Sequence, residues 1–216
     1  MQRFLKEGLD GFESHNVLEL LLFFSISRQD TNELAHRLMQ SFGNMDAVFD
    51  APYEDLLQVD GVGPNTAVLL KLIPQLCRRY LTERTDGAHI TDTRSAGAYF
   101  LPRYIGLTEE VVMMVCLDNK NSVIANTVLH RGSLNTVEIS VRKIVAEAIK
   151  HNASNVILAH NHPGGHAIPS AEDFETTRKL INALNAVDIY LVDHILVAED
   201  DFVSIPASDP QLRFAR

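Results

Sequence analysis

Tryptophan is absent from this 216-residue chain, and cysteine occurs twice, at Cys77 and Cys116. No Cys-x-x-Cys spacing exists, so neither a thiolate metal site nor a dithiol redox motif is available. Both thiols lie in apolar stretches and are expected to be free and buried. Positive charge is also scarce: 19 Lys/Arg stand against 28 Asp/Glu, a net charge of −9. The deficit is spread along the chain, 8 against 13 up to residue 88 and 11 against 15 beyond it. Neither half has the basic balance that draws a protein to nucleic acid or to an anionic membrane. Long apolar runs are missing as well. The longest, residues 17–26, is interrupted by Glu19 and reaches about half of a bilayer span. The first seven residues contain no apolar core of the kind a secretory leader uses, and a cytoplasmic protein without membrane contact is expected.

What is present falls into two parts with different patterning. Up to about residue 80 the apolar positions recur at helical spacing. They predict a helix over residues 17–24, and a second from a capping box at Asp30-x-x-Glu33 to Gly43. A short helix over residues 53–57 comes next. After the tight turn Asp60-Gly61-Val62-Gly63-Pro64, a longer helix runs to about Tyr80, its inner face formed by Ala67, Leu70, Ile73, Leu76 and Cys77. The polar, aperiodic stretch 82–89 marks a boundary between a helical module at residues 1–85 and a second domain at 90–216. In the second part a short helix precedes a buried strand predicted at 111–117, and residues 123–129 pair with it across the turn Asp118-Asn119-Lys120-Asn121-Ser122. Val141, Ile144, Val145, Ala148 and Ile149 form one helical face. A compact strand at 155–159, a helix lined by Phe174, Thr177, Ile181 and Leu184, and strands at 189–192 and 195–197 complete it. The fold class is α/β (α+β), with a layered α/β/α second domain.

The chemistry concentrates in residues 160–173, His-Asn-His-Pro-Gly-Gly-His-Ala-Ile-Pro-Ser-Ala-Glu-Asp. Residues two apart on an extended chain point the same way, so His160 and His162 converge on one point. Pro163 ends the strand and the Gly-Gly turn folds the chain back. Ser170 is placed to cap the next helix, which puts Asp173 in its first turn, facing the two histidines. Two neutral imidazoles and one carboxylate suit Zn²⁺ and leave a fourth tetrahedral position for water. Taken alone, a His-x-His pair is ordinary loop chemistry, and Ser170-x-x-Asp173 is explained by helix capping. Their combination at this spacing favours a metal.

His-x-His, ten intervening residues and Asp, with Pro169-Ser170 before the Asp, resembles the signature of the JAMM (MPN-domain) metalloproteases. The order of strands and helices around it fits as well. Arg131-Gly132-Ser133-Leu134-Asn135, Asn161 between the histidines, and Asp193-His194 extend the resemblance to the bacterial RadC family over nearly the whole chain. That resemblance implies a zinc metallopeptidase: His160, His162 and Asp173 as metal ligands, Ser170 as a donor to the tetrahedral oxyanion, and a catalytic Glu on the first strand. Glu110 matches that position best, with Glu109 the adjacent candidate. A protein or peptide substrate cleaved at an amide, peptide or isopeptide bond is implied, its identity open. Many relatives read Ser-Gly-Asp after His-Pro where this chain has Gly164-Gly165-His166. His166 is thus a spare ligand, a substrate contact or an exposed loop residue, with exposure the default. Asp193 and His194 either orient a ligand imidazole or are polar residues at a strand end.

In the first part, Leu57-x-Val59-x-Gly61-Val62-Gly63-x-x-x-Ala67 resembles a helix-hairpin-helix motif, whose Gly-x-Gly turn can present backbone N–H groups to a DNA phosphate. Gly61, Val62 and Gly63 are therefore candidate DNA-binding residues. Pro64 and Asn65 stand where DNA-binding versions carry cations, and without cations little counterion release drives binding. A structural module with weak or no DNA affinity is expected. The rival readings are a DNA-binding, DNA-repair-associated protein whose metal site is structural, and a metal-dependent nuclease. A nuclease reading lacks the carboxylate cluster of a two-metal phosphodiesterase.

Overall fold

Helix-forming sequence dominates the first part of the chain, and the structure, a computed structural model, describes residues 2–26, 30–85, 87–132 and 140–212. The helices there are α1 (Gln2–Glu7), α2 (Ser14–Leu22), α3 (Asn32–Phe42), α4 (Met45–Asp50), α5 (Tyr53–Leu57) and α6 (Pro64–Glu83). The chain divides into two compact units at Cys77/Arg78, inside α6.

The first unit packs Leu18, Leu22, Leu34, Leu38, Val48, Leu56, Ala67 and Leu70 into one apolar core. Gly43 ends α3 with φ 95°, its N–H bonded to the Met39 carbonyl, as a C-terminal glycine should. Three expectations are corrected. Asp30 does not cap through a box with Glu33: its carboxylate accepts from Asn32 N at 2.9 Å, and α3 begins two residues later behind Thr31. Asx side chains commonly bond the backbone two residues on, which competes with helix capping. Leu76 is exposed rather than on the inner face of α6. Cys77 is exposed too, while Cys116 is buried, and both are free thiols. The buried stretch of α6 ends with Leu70, so helical periodicity overran the core it faces.

The second unit contains α7 (Thr93–Tyr104), β1 (Val111–Leu117), β2 (Val123–Arg131), α8 (Val141–Lys150), β3 (Asn155–Asn161), α9 (Ala171–Asn185), β4 (Tyr190–Ala198), β5 (Asp201–Ser204) and α10 (Ile205–Ser208). The sheet order is β2-β1-β3-β4-β5, with β3 and β4 parallel and the other neighbours antiparallel. Alternation divides each central strand between two apolar layers. Val111, Met113, Val115, Ile157, Ala159, Ile195 and Val197 pack with Phe100 and Tyr104 of α7. Val112, Met114, Cys116, Val156 and Leu158 pack with Ile144 and Ala148 of α8 and Leu180 and Leu184 of α9. Helices on both faces of a mixed sheet give the expected layered α+β domain. The two apolar stretches of residues 189–197 form one strand, β4, with a register shift against β3: Val156 pairs with Leu191 but Ile157 with Asp193. The extra residue, Val192, is a bulge, and it switches which face every later residue of β4 points to. His194 and Leu196 thereby face α9, while Ile195 and Val197 face α7.

The N-terminus of α7 is held by a capping box between Asp92 and Ser95. Further along, Gly97 meets β5 so closely that a Cβ there would overlap the Phe202 ring. Gly97→Ala is therefore expected to lower stability by about 1–3 kcal/mol through overpacking, although alanine is the better helix former. Urea denaturation measures this. A Gly97→Ala protein at least as stable as the wild type would show that the Phe202 ring yields freely.

Candidate metal centre

β3 and the first turn of α9 bring the candidate ligands together. His160 occupies the end of β3, paired with Val112 on one side and Leu196 on the other, and is 2% exposed. His162 follows the strand, its backbone N–H still bonded to the Val197 carbonyl at 2.9 Å, so the extended path continues long enough for both rings to share a face. The ring centroids are 5.1 Å apart. The chain then turns through Gly164, at φ +66°, where a residue with a Cβ would be strained, and enters α9 at Ser170.

Ser170 and Asp173 form the expected capping box. The Asp173 N–H donates to Ser170 Oγ, and the Ser170 N–H and hydroxyl both donate to Asp173 Oδ2, at 2.8 and 2.7 Å. Asp173 Oδ1 lies 3.1 Å from His160 Nε2, and Oδ2 lies 3.9 Å from His162 Nε2. The candidate ligand atoms of His160, His162 and Asp173 all fall within 4.8 Å of one another.

Electrostatics fit a cation at this point. Burial tends to raise the Asp173 pKa, but contact with His160 and hydrogen bonds from Ser170 outweigh it, leaving the carboxyl well below the usual range. Burial and His160 lower the His162 pKa against the opposing pull of Asp173 and Glu110. A lowered histidine pKa keeps an imidazole neutral and free to ligate. The sharpest indication is at His160 Nε2, which is buried and makes no hydrogen bond among the described residues. An imidazolium N–H beside a carboxylate would be expected to align with it. A lone pair and a carboxylate around a divalent cation need no such alignment. The donor set, two imidazole nitrogens and a carboxylate oxygen, suits Zn²⁺.

The neighbours of this cluster are specific. Asn161, between the two histidines, is buried and holds the peptide groups on either side of Glu110: its Oδ1 accepts from Val111 N at 2.7 Å and its Nδ2 donates to Glu109 O at 3.1 Å. Glu110 acts electrostatically on His162, whereas Glu109 is exposed and lies 3.6 Å from Arg131. His194 touches the imidazole of a candidate ligand, Nε2 to His160 Nδ1 at 3.0 Å. The bulge sends Asp193 the other way, where it accepts hydrogen bonds from Thr93 Oγ1, Ser204 Oγ and the His194 N–H. Burial raises the Asp193 pKa against those three bonds. His166 is exposed and outside the cluster. Residues 133–135 of the segment beginning at Arg131 lie outside the described residues.

Two residues went unread in the sequence. Thr177 was assigned to an apolar helix face, yet its hydroxyl, fully buried, bonds the Asp173 carbonyl at 2.6 Å and lies 2.7 Å from His194 Nδ1. The signal was a hydroxyl on an apolar stripe, one helical turn after a candidate ligand. Asn161 was noted as part of a resemblance but given no structural task. A side-chain amide can donate and accept at once, which is what its position requires.

In the first unit the hairpin turn is built as a helix-hairpin-helix. Gly61 has φ +92°, Gly63 leads into α6, and Val62 points into the core. Arg37 Nε bonds the Asp60 carbonyl beside the turn.

Comparison with known proteins gives concordant matches. The family profile described as a RadC-like JAB domain matches residues 90–210, and a helix-hairpin-helix motif matches residues 30–71. A UPF0758 protein of Bacillus pumilus (strain SAFR-032) is 32% identical over 205 residues, covering 94% of this chain and 92% of the relative. A UPF0758 protein of Geobacillus sp. (strain WCH70) is 31% identical, covering 94% and 91%.

The Asn161 clamp generates a direct test. Asn161→Leu leaves the buried Val111 N–H and the Glu109 carbonyl without their partner, and a loss of about 1–3 kcal/mol is expected for such an orphaned donor. Chemical denaturation of the full chain reads it. Unchanged stability would mean that water satisfies both groups.

Proposed function

The chain belongs to the RadC family, whose JAB domain has a JAMM-like, metal-dependent fold, and from that premise we propose that it is a zinc-dependent hydrolase of an amide, peptide or isopeptide bond. In this reading residues 90–216 are the metallohydrolase domain and residues 1–85 a helix-hairpin-helix module. His160, His162 and Asp173 hold the metal. The observation that carries the proposal is the buried His160 Nε2, without a hydrogen bond and 3.1 Å from Asp173 Oδ1, with His162 completing the cluster.

Zinc, when bound, supplies Lewis acidity to a water and a substrate carbonyl. The remaining work belongs to the chain. Glu110 takes the proton of the attacking water and returns it to the leaving nitrogen, a general base held in place by Asn161 through the peptide groups on both sides. Glu109 is the weaker candidate because it faces Arg131. Ser170 donates to the oxyanion of the tetrahedral species. In the structure its hydroxyl is given to Asp173, so this role requires the hydroxyl to turn toward the substrate, while the Ser170 backbone N–H keeps Asp173 in place. A protein or peptide is the substrate class.

The hairpin at Gly61, Val62 and Gly63 is a structural module with weak DNA affinity at most. Four cations lie within reach in sequence, and each is engaged locally. Lys71 Nζ bonds the carbonyls of Phe49, Asp50 and Ala51 at the end of α4. Arg78 bonds the Ile105 carbonyl, Arg79 pairs with Glu83, and Arg84 bonds Tyr80. Val62 belongs to the core. Little counterion release is left to drive DNA binding. A two-metal nuclease is disfavoured because the described residues offer one cluster of candidate ligands. Among them no helix is long and apolar enough to cross a membrane.

Elemental analysis of the purified chain should find about one zinc per molecule, with one metal to a His₂Asp cluster, and strong loss in His160→Ala, His162→Ala and Asp173→Ala. Glu110→Gln should keep the zinc while lowering hydrolysis of a responsive peptide substrate by about 10²- to 10⁴-fold, the usual range for a general base. A protein that takes up no zinc when it is offered would end this reading.

A further inference from the structure

Two contacts lead away from the ligand cluster into the core. His160 Nδ1 lies 3.0 Å from His194 Nε2, and His194 Nδ1 lies 2.7 Å from Thr177 Oγ1. The Thr177 hydroxyl also lies 2.6 Å from the Asp173 carbonyl oxygen. His160, His194 and Thr177 are all at most 2% exposed, so bulk water does not supply or remove protons along this path.

The protons can be placed by counting. A carbonyl oxygen only accepts, so the contact at Asp173 uses the single hydroxyl proton of Thr177. Thr177 can then only accept from His194, which must carry a proton on Nδ1. If His194 carried a second proton on Nε2, it would donate to His160 Nδ1 and force the His160 proton onto Nε2. His194 would then be a cation, and at 1% exposure, against an imidazole and a hydroxyl, that charge is costly to bury. The consistent arrangement has a neutral His194 accepting at Nε2 from the Nδ1–H of His160. In a neutral His160 the Nε2 is then a lone pair, facing Asp173 Oδ1 at 3.1 Å without the alignment of a hydrogen bond. Asp173 stands at both ends of this path: its main-chain carbonyl anchors the chain of donors, and its carboxylate faces the lone pair that the chain creates.

We propose that Thr177 and His194 are positioning residues that fix His160 in the Nδ1–H tautomer and so present Nε2 to zinc. Ligand histidines commonly depend on such a partner for orientation and tautomer. Here the partner is another histidine, polarised in turn by a helix threonine. The bulge at Val192 is what turns His194 to this face of the sheet; in unbroken register it would point toward α7. The inference rests on His160, His162 and Asp173 being zinc ligands, but the tautomer can be read without metal.

The test uses the full chain labelled with ¹⁵N-histidine. Long-range ¹H–¹⁵N correlation spectra of the metal-free protein report which ring nitrogen of each histidine is protonated. Both His160 and His194 should carry their proton on Nδ1. Thr177→Val, nearly the same shape without the hydroxyl, should give a mixed tautomer at His194 and His160 and weaken zinc binding, measured by chelator competition, about 10- to 100-fold. Thr177→Ser should restore both readouts, which a packing role for the methyl group alone would not do. A wild-type spectrum with His160 protonated on Nε2 would overturn the proposal. So would a folded Thr177→Val protein with wild-type tautomers and zinc affinity. A wild type that binds no zinc would end the hydrolase reading, and the spectra would still decide the tautomer.

Discussion

A histidine with 2% exposure must have both ring nitrogens accounted for, and the second unit is arranged around meeting that demand at His160. Leaving a buried polar atom unsatisfied costs about 1–3 kcal/mol. One nitrogen of His160 meets His194. The other meets a carboxylate held by the capping box at the start of α9. A proton or a metal ion shared between that nitrogen and the carboxylate satisfies both groups, so helix capping and strand register meet in one place.

The sheet supplies the rigidity. β3 is a central strand, paired antiparallel with β1 and parallel with β4, so His160 cannot move without disturbing both neighbours. Asn161 points away from the candidate ligands and ties the start of β1 to the end of β3, which fixes Glu110 relative to the His160-His162-Asp173 cluster through two hydrogen bonds. The site is thus built on the ends of strands and one helix terminus, with the Pro-Gly-Gly turn between them free of side-chain duties. The Gly164-Gly165-His166 segment of that turn leaves the candidate ligand positions intact, and His166 is exposed there.

Much of this was legible because it depends on short-range periodicity. Two histidines two residues apart at a strand end share a face whatever surrounds them, and a Ser-x-x-Asp before an apolar helix forms its own box. The strand at residues 111–117 and the helix at 53–57 stood out by apolar pattern and flanking turns, and appear with those bounds as β1 and α5. What escaped depends on long-range contact. The Val192 bulge leaves no local mark: residues 189–192 and 195–197 read as two apolar stretches, with nothing to say which face His194 would choose. Thr177 looked like filler on an apolar face because its partners come from a strand seventeen residues later and from its own preceding turn. The box expected at Asp30 failed because Asp30 found a nearer donor, and Leu76 and Cys77 follow the helical period past the point where the first unit's core ends.

The central claim is that two imidazoles and one carboxylate of this domain form a zinc site. X-ray absorption at the zinc edge of the zinc-loaded full-length protein tests it most directly. The account predicts only nitrogen and oxygen donors at about 2.0 Å, with the scattering pattern of two imidazole rings that falls to one in His162→Ala. Sulfur at about 2.3 Å, or an imidazole signal unchanged by that substitution, would place the metal elsewhere and contradict the claim.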